Sequence, residues 1–245
     1  MQQIKHLLLA LLLIITVCAE AQVGIGTATP EATAQLDVSS TTKGFLPPRM
    51  DSTQRNAIGS PATGLTIYNT TLKSVEVYNG TVWYSAAHYI GESYGGGIVF
   101  YVYDNGQHGL IAATAVQSTL IQWYNGTNRY TGTTGDGLGA GAMNTAMIVA
   151  TQIADNQAGN FAAKVCADYS ITVGGVTYGD WYLPSKHELN LLYIQKAVVG
   201  GFANNYYYSS TEYDSSNVWG QNFYFGYQGY NEKYPANYVR AVRAF

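Results

Sequence analysis

The alternation of apolar and polar positions is most informative where an aromatic, strand-like stretch runs into Leu183 and Pro184. Pro184 keeps Leu183 extended, because the residue before a proline avoids the helical region. Ser185, with Glu188 three residues later, is typical of a capping box at the start of a helix. The next apolar positions share one helical face, namely Leu189, Leu192 and Tyr193. The pattern predicts a sharp change from strand to helix at this point.

Short alternating segments separated by turn residues predict strands over much of the chain. Asn79-Gly80 is a strong hairpin signal, and Gly174-Gly175 indicates a second hairpin. The apolar run 98–103 predicts a strand that returns through 110–113. Further strands are predicted at 65–69, 75–78, 121–124, 206–210, 218–225 and 238–245.

Helices are predicted in fewer places. Residues 53–58 allow about one helical turn, and 158–169 and 186–199 read as helices, the latter ending at a glycine pair. A longer helix is predicted over 143–155. Its expected inward face carries the apolar residues Met143, Ala146, Met147, Ala150, Ile153 and Ala154.

The first 21 residues have the features of an export signal. Lys5 and His6 precede an apolar run at 7–17, and Ala19-Glu20-Ala21 is a cleavage motif of the A-x-A type. The run is too short for a membrane span, so we expect none after cleavage. A lipid on Cys18 is the alternative, and Val17 is too large for the position before a lipidated cysteine. We therefore expect a secreted or cell-surface protein, associated with the outer membrane where it stays attached.

Composition narrows the class of protein. The net charge is −3, which argues against general binding to nucleic acid or to anionic membranes. Charged residues make up only 11%, whereas the chain has 27 glycines and 22 tyrosines, as in loop-rich extracellular proteins that contain β-structure. Cys166 is the only cysteine left after cleavage, so we expect no intrachain disulfide and a buried thiol.

The chain divides into a module at 22–85 and a larger domain at 86–245. The module is rich in Thr, Ala, Ser and Pro, and its apolar residues are too few to bury a core alone. It resembles the N-terminal stalk of many exported proteins of the Bacteroidota and parts of phage tail fibres. The resemblance implies a spacer or assembly role and a homotrimer. It rests on Val23-Gly24-Ile25-Gly26-Thr27, Leu36-Asp37-Val38-Ser39-Ser40, the segment 43–50 and Thr63-Gly64-Leu65.

The second domain carries a series of motifs in a fixed order. They are Gly97–Tyr101, His108-Gly109-Leu110, Trp123, the glycine-rich loop before Asn144, Asp180–Ser185 with Glu188-Leu189, Tyr208–Glu212, Trp219 and Val239–Arg243. Over about 91–245 the domain resembles the DUF1566 family, which includes the C-terminal domain of the Legionella collagen-like adhesin. The resemblance implies a C-type-lectin-like fold of the α+β class, with few helices on twisted antiparallel sheets and termini close together. It also implies a surface adhesin that binds sulfated polysaccharide.

Catalytic chemistry has no support in the sequence, and we expect no enzyme. The related sulfatase-modifying enzymes need a cysteine pair, and only Cys166 remains. His88, His108 and His187 lack metal-ligand spacing, and no G-x-S-x-G motif is present. The glycines at 132–141 do not have phosphate-loop spacing.

Aromatic residues are the strongest indication of a binding site. Tyrosine in loops rich in Gly, Asn and Gln offers a large contact area at low entropic cost and can stack on sugar rings. We expect surface glycan or protein ligands to bind a set formed by Tyr224, Tyr227, Tyr230, Tyr234, Trp219 and Asn222. The alternative is that several of these tyrosines fill strands or the core.

Two further groups have polar side chains. Glu212, Asp214 and Asn217 could hold Ca²⁺, but such residues are common in solvated turns, so we expect no metal or cofactor. Arg240 and Arg243 lie three apart and face opposite sides of a strand. We expect one of them against the core beside a carboxylate such as Asp180 or Glu188.

These observations predict an exported, non-enzymatic surface protein with an adhesin-like domain. The alternative is a structural fibre or matrix component that assembles through 22–85.

Overall fold

The computed structural model describes residues 22–85, 87–155 and 158–245. The predicted signal peptide and Cys18 lie outside the described residues. The fold is of the α+β class, with mostly β-sheet and few helices, as expected. No helix in the described ranges is both long and apolar enough to cross a membrane.

Residues 22–85 contain six short strands and one helix. A parallel pair and a four-stranded sheet of order β3-β4-β5-β6 make up this part. The elements are β1 (Val23–Ile25), β2 (Leu36–Val38), β3 (Arg49–Met50), α1 (Ser52–Asn56), β4 (Thr66–Asn69), β5 (Ser74–Tyr78) and β6 (Trp83–Ser85).

The predicted hairpin at Asn79-Gly80 is confirmed, since it joins β5 to β6. Gly80 has a φ of 98°, which favours glycine. The Asn79 side-chain oxygen accepts from the amides of Thr81 and Val82 at 3.0 and 2.9 Å. Local turn chemistry therefore fixes this connection.

The larger part is built on two antiparallel-rich sheets and a hairpin. One sheet has the order β17-β9-β8-β7, the other β10-β16-β13-β14-β15. The strands are β7 (Ser93–Tyr94), β8 (Gly97–Tyr103), β9 (His108–Ala113), β10 (Ser118–Ile121), β11 (Ile171–Val173), β12 (Val176–Tyr178), β13 (Tyr206–Glu212), β14 (Asn217–Asn222), β15 (Gln228–Glu232), β16 (Asn237–Val239) and β17 (Val242–Ala244). The helices are α2 (Ala140–Asp155), α3 (Ala162–Ala167), α4 (Lys186–Ile194) and α5 (Lys196–Val199), with a 3₁₀ turn at Asp104–Gly106.

The start and end of this part lie together, as the resemblance implied. β17, at the chain end, pairs with β9 in the same sheet as β7. The ring of Phe245 lies 4.7 Å from that of His88 and 5.5 Å from that of Tyr94, measured between centroids.

The helix α4 begins as its sequence predicts. Ser185 Oγ accepts from the Glu188 amide at 3.2 Å, and a Glu188 carboxylate oxygen accepts from the Ser185 amide at 2.8 Å. Leu189 and Leu192 are fully buried in a cluster with Phe100, Tyr207 and other core residues. A second cluster includes Trp123, Phe161, Trp181 and Cys166. The capping box therefore places α4 against the sheet core.

The predicted inward face of α2 is wrong except at Ile153, which is half-buried against the core. The other five predicted members are exposed, namely Met143, Ala146, Met147, Ala150 and Ala154, whereas Asn144, Thr145, Ile148 and Gln152 are buried. The polar members are buried because they hydrogen bond to distant segments: Asn144 donates to the Gly135 carbonyl at 2.7 Å and Thr145 to the Leu183 carbonyl at 3.2 Å. Such pairing satisfies polar groups that helical periodicity alone assigns to solvent.

Several predicted boundaries also differ. The strand expected at 121–124 lies earlier, at β10, and the buried Trp123 follows it. The helix expected from 158 begins at Ala162, and the one expected to reach Val199 is divided at Gln195 into α4 and α5. The expected strand 218–225 ends at Asn222, and β15 was not predicted.

Candidate ligand-binding site

The centre of the candidate site is a direct cross-strand pair. Trp219 on β14 lies opposite Tyr230 on β15, so the two side chains share one face of the sheet. Tyr213 stacks on Tyr230 with ring centroids 4.3 Å apart and an interplanar angle of 6°, and meets Trp219 edge-on at 5.6 Å. Tyr213 and Tyr230 are exposed. We call Tyr213, Trp219 and Tyr230 the aromatic cluster.

A cation lies against this cluster. The ammonium nitrogen of Lys186 is 3.7 Å from the ring centroid of Trp219, within the range of a cation–π interaction. Two hydrogen bonds hold the backbone of Lys186 in place. The Gln228 side chain donates to the Lys186 carbonyl at 2.7 Å, and the Lys186 amide donates to Thr211 Oγ1 at 2.9 Å. The cluster therefore combines aromatic rings with one positive charge.

Part of the expected set lies at the turn between β14 and β15. The Asn222 side-chain oxygen accepts from the amides of Tyr224 and Phe225 at 2.9 and 3.0 Å, so Asn222 forms the turn. Tyr224 and Tyr227 are exposed, as expected. Phe223 is buried, whereas Phe225 is exposed. The turn displays an aromatic group separate from the aromatic cluster.

Tyr234 lies beyond the end of β15 and is exposed. Its carbonyl accepts from the Gln122 side chain at 2.8 Å. A hydrogen bond to Glu232 raises the pKa of Tyr234. The structure thus brings Trp219 and Tyr230 together and places Tyr234 elsewhere.

Sequence reasoning missed Tyr213 and Lys186 as members of this site. Tyr213 lies in the loop between β13 and β14, whose position periodicity does not predict. Lys186 is the first residue of α4. Lys186 contacts Trp219 only because α4 packs against β14. The two residues are far apart in the sequence, so local patterns do not predict the contact.

The weak calcium candidates are used in two different ways. The Glu212 carboxylate is buried, pairs with the ammonium of Lys233, and accepts from the amides of Thr131 and Gly132 at 2.9 Å each. Asp214 accepts from the amides of Ser216 and Asn217, both at 2.7 Å. The turn interpretation therefore fits Asp214 and Asn217 but is wrong for Glu212. Within the described ranges, no three His, Cys, Asp or Glu residues form a group that could hold a metal ion.

We expected one arginine to be both buried against the core and paired with a carboxylate, but Arg240 is the buried one and Arg243 the paired one. Arg240 is buried and donates to the carbonyls of Ala113, Gly201 and Gly200 at 2.6, 3.1 and 3.0 Å. Burial lowers the pKa of Arg240 to about 10. Arg243 instead pairs with the carboxylate of Asp180 at 2.6 Å. Backbone carbonyls thus hold the buried Arg240, and the expected carboxylate, Asp180, pairs with Arg243.

Polar residues near the start of α4 do not converge on a common point. Asp180 pairs with Arg243, while the buried Glu188 carboxylate accepts from the Gly139 amide at 2.8 Å and from the Tyr182 hydroxyl at 3.2 Å. His187 is exposed, and its amide donates to Asp136 at 2.7 Å. The Asp180 and Glu188 side chains hold separate segments together, and the His187 side chain is exposed.

Comparison with protein-family models gives two matches. The Lcl C-terminal domain model matches residues 113–243, which is 131 of the chain's 245 residues. The chain belongs to the Lcl C-terminal domain family. The motifs from Trp123 to Arg243 that carried the resemblance lie within this match, so that part of the expectation is confirmed.

The second match precedes and overlaps the Lcl C-terminal domain. A phage tail like trimerisation region matches residues 24–136. The tail-fibre resemblance of the N-terminal module is confirmed to this extent, and the match continues past the expected boundary at 85. No curated protein matches the chain.

Proposed function

We propose that this chain is an exported, non-catalytic surface protein that binds a glycan through its Lcl C-terminal domain and forms a homotrimer through its N-terminal region. Both family matches support a surface adhesin or a fibre-like protein. The C-type-lectin-like arrangement is part of the proposal. It is supported by the antiparallel sheets and by the neighbouring start and end of the domain.

The aromatic cluster with Lys186 carries the binding proposal. A sugar ring has apolar C–H faces and polar edges, so an aromatic side chain with a polar tip can contact both. The ammonium over Trp219 adds a charge that favours an anionic sugar, such as a sulfated or carboxylated one. The exposed Tyr224 and Tyr227 at the nearby turn and Tyr234 extend the proposed contact surface.

Binding is tested by retention of the exported protein on immobilised polysaccharides, each in sulfated and unsulfated form. Tyr213→Ala should weaken retention, whereas Tyr103→Ala should not. The two residues are matched, because Tyr213 is 47% and Tyr103 46% exposed and both contact other rings. Equal retention of the two variants, or unchanged affinity after Tyr227, Tyr230 and Tyr234 are all replaced by Ala, would contradict the proposal.

The absence of catalysis is supported by how the polar groups are used. The Asp180 and Glu188 carboxylates bind separate parts of the fold, and the exposed His187 has only its backbone amide bound, to Asp136. Their arrangement explains local structure without a reaction.

The trimer is supported by the match at 24–136 and by the poor core of residues 22–85. The side chains buried there are Pro47, Ile67, Asn69, Ser74 and Glu76. So small an apolar core does not stabilise an isolated module. Light scattering should give a trimer for residues 22–245 and a monomer for 86–245. A monomer in both cases would refute this part.

A structural fibre is the second candidate, and the trimerisation match is the observation that favours it. A protein that assembles into longer polymers and is retained on no polysaccharide would fit the fibre and exclude the adhesin.

A further inference from the structure

The sheet β3-β4-β5-β6 has apolar side chains on both of its faces. One face is covered by α1 and also holds buried polar groups. Glu76 is buried on this face, where Arg55 from α1 pairs with it at 2.5 Å and the Asn69 side chain donates to it at 2.7 Å. Ser74, opposite Asn69, is also buried. Ile67, opposite Glu76, is buried on the same face, and Tyr78 and Trp83 form a half-buried pair there. The covered face therefore combines an ion pair and amide groups with a few apolar side chains.

The opposite face is mainly apolar and open, with the exposed Arg49 beside Tyr68 at its β3 edge. Register places Thr66 beside Val77, and Val77 beside Tyr84, while Tyr68 lies beside Val75. Directly paired residues share a face. Val75 is 42% and Tyr84 63% exposed, and the other three are half-buried. We call this set, Thr66, Tyr68, Val75, Val77 and Tyr84, the open face.

This distribution differs from that of a typical monomeric sheet. A sheet that meets solvent on one side places its apolar residues on the packed side and its polar residues outward. Here the packed side holds Glu76 and Asn69 beside Ile67, and the solvent side also holds valines and tyrosines. A patch without acidic or lysine side chains and with aromatic residues has the composition of an interface core.

We infer that the open face is the surface by which one copy of this chain packs against another in the trimer. The inference rests on the proposed homotrimer and names the surface that forms it. A second copy is the fitting occupant, because the whole open face lies inside the region matched as a trimerisation region, 24–136. The same face then recurs about a threefold axis and buries the valines and tyrosines of all the copies.

Charge placed on the open face tests the inference. Val75→Glu should turn the trimer of the exported protein into a monomer, as measured by size-exclusion chromatography with light scattering. Val176→Glu is the matched control: Val176 is also an exposed strand valine, 52% exposed, but lies on β12 outside the matched region. It should leave the trimer intact.

The outcomes separate this inference from the proposed function. A trimeric Val75→Glu protein would overturn the inference and leave the proposed trimer standing, whereas a monomeric wild-type protein would overturn both. Val75→Thr guards against a variant that unfolds, since threonine keeps the shape and the strand preference of valine. It should raise the dissociation constant of the trimer by about tenfold or more, because each copy buries a hydroxyl group. An unchanged dissociation constant would also overturn the inference.

Discussion

Lys233 places its ammonium against the carboxylate of Glu212, and neither side chain is exposed to solvent. Lys233 also donates to the carbonyls of Arg129 and Ser215 at 3.0 Å each. The pair therefore joins the end of β13 to the segment between β15 and β16. It also joins both to the segment near residue 130. Removing one charge would leave the other buried without its partner.

We predict that Glu212→Gln or Lys233→Met alone lowers the free energy of unfolding by about 3–5 kcal/mol. The double variant should lose less than the sum of the two, because it removes both charges. Urea unfolding midpoints measure each effect. Lys164→Met is the control, since Lys164 pairs with the exposed Asp168 and should change stability by less than about 1 kcal/mol. Additive single effects would contradict the coupling.

At Gly141 we predict that alanine destabilises the protein, although alanine has the higher helix propensity. Gly141 lies in the first turn of α2, where alanine is normally favoured over glycine by about 1 kcal/mol. A Cβ at this position would lie 2.3 Å from a Glu188 carboxylate oxygen and 2.7 Å from the Ser185 amide nitrogen. Gly141→Ala should therefore lower the thermal midpoint. Ala146→Gly, at an exposed site on the same helix, measures the effect of helix propensity alone. A Gly141→Ala protein more stable than the wild type would show that α2 and α4 can move apart at little cost in free energy.

The buried Glu188 gives stability a dependence on pH. Burial raises the pKa of Glu188, and hydrogen bonds from Ser185, Gly139 and Tyr182 oppose this effect without cancelling it. A carboxyl whose pKa is raised by folding contributes stability below its unfolded pKa, and this contribution is lost as pH rises through the folded pKa.

The stability advantage of the wild type over Glu188→Gln should therefore shrink as pH rises from about 4 through the folded pKa of Glu188. Urea unfolding midpoints of both proteins across this pH range measure the difference in their stability. The titration of all other groups affects both proteins alike and cancels in this difference. An advantage that grows with pH would mean that folding lowers the pKa of Glu188.

Local signals predicted the parts of the fold that local chemistry determines. The capping box of Ser185 and Glu188 and the hairpin at Asn79-Gly80 depend on residues within four positions of one another, and both were confirmed. The face of α2 depends on Thr145 meeting the backbone of Leu183, 38 positions away. Periodicity cannot detect such a partner, so it assigned the apolar Met143 to the core.

The candidate site shows the same division. The tyrosine-rich composition predicted exposed aromatic residues, and Tyr224, Tyr227, Tyr230 and Tyr234 are exposed. Which of them lie together depends on strand register and on the packing of α4, which bring Trp219, Tyr230 and Lys186 into one group. Whether these residues bind a ligand stays a prediction.

The pair formed by Asp180 and Arg243 predicts an unequal response to mutation. Partial burial raises the pKa of Asp180, but the hydrogen bond and charge of Arg243 outweigh it and lower the pKa overall. This contribution to stability is present above the unfolded pKa and is lost as pH falls through the folded pKa. Asp180 is largely exposed, so Asp180→Asn should cost less than about 1 kcal/mol.

Arg243→Met should cost more than Asp180→Asn. The guanidinium also donates to the Gly95 carbonyl at 3.3 Å and lies 4.7 Å from the Tyr178 ring centroid. These contacts add hydrogen bonding and ring packing to the ion pair. Thermal unfolding at pH 7 compares the two variants, and equal losses would mean that the ion pair alone accounts for the role of Arg243.

Lys186 predicts how binding depends on charge. If its ammonium contributes to recognition beside Trp219, Lys186→Met should weaken retention on a sulfated polysaccharide several-fold, because an accessible ion pair contributes up to about 1 kcal/mol. The same variant should bind the unsulfated form of the polysaccharide as the wild type does. Raising the salt concentration should reduce the difference between wild type and variant, since salt screens exposed charges.

Lys196→Met is the matched control for this change. Lys196 also lies over an aromatic ring, that of Tyr193 at 4.4 Å, but its ammonium donates to the Phe223 carbonyl at 2.6 Å and belongs to the scaffold beneath the turn. Equal losses for both lysine variants would indicate a general effect of net charge. A loss confined to Lys186→Met would locate the anionic group of the ligand at the aromatic cluster.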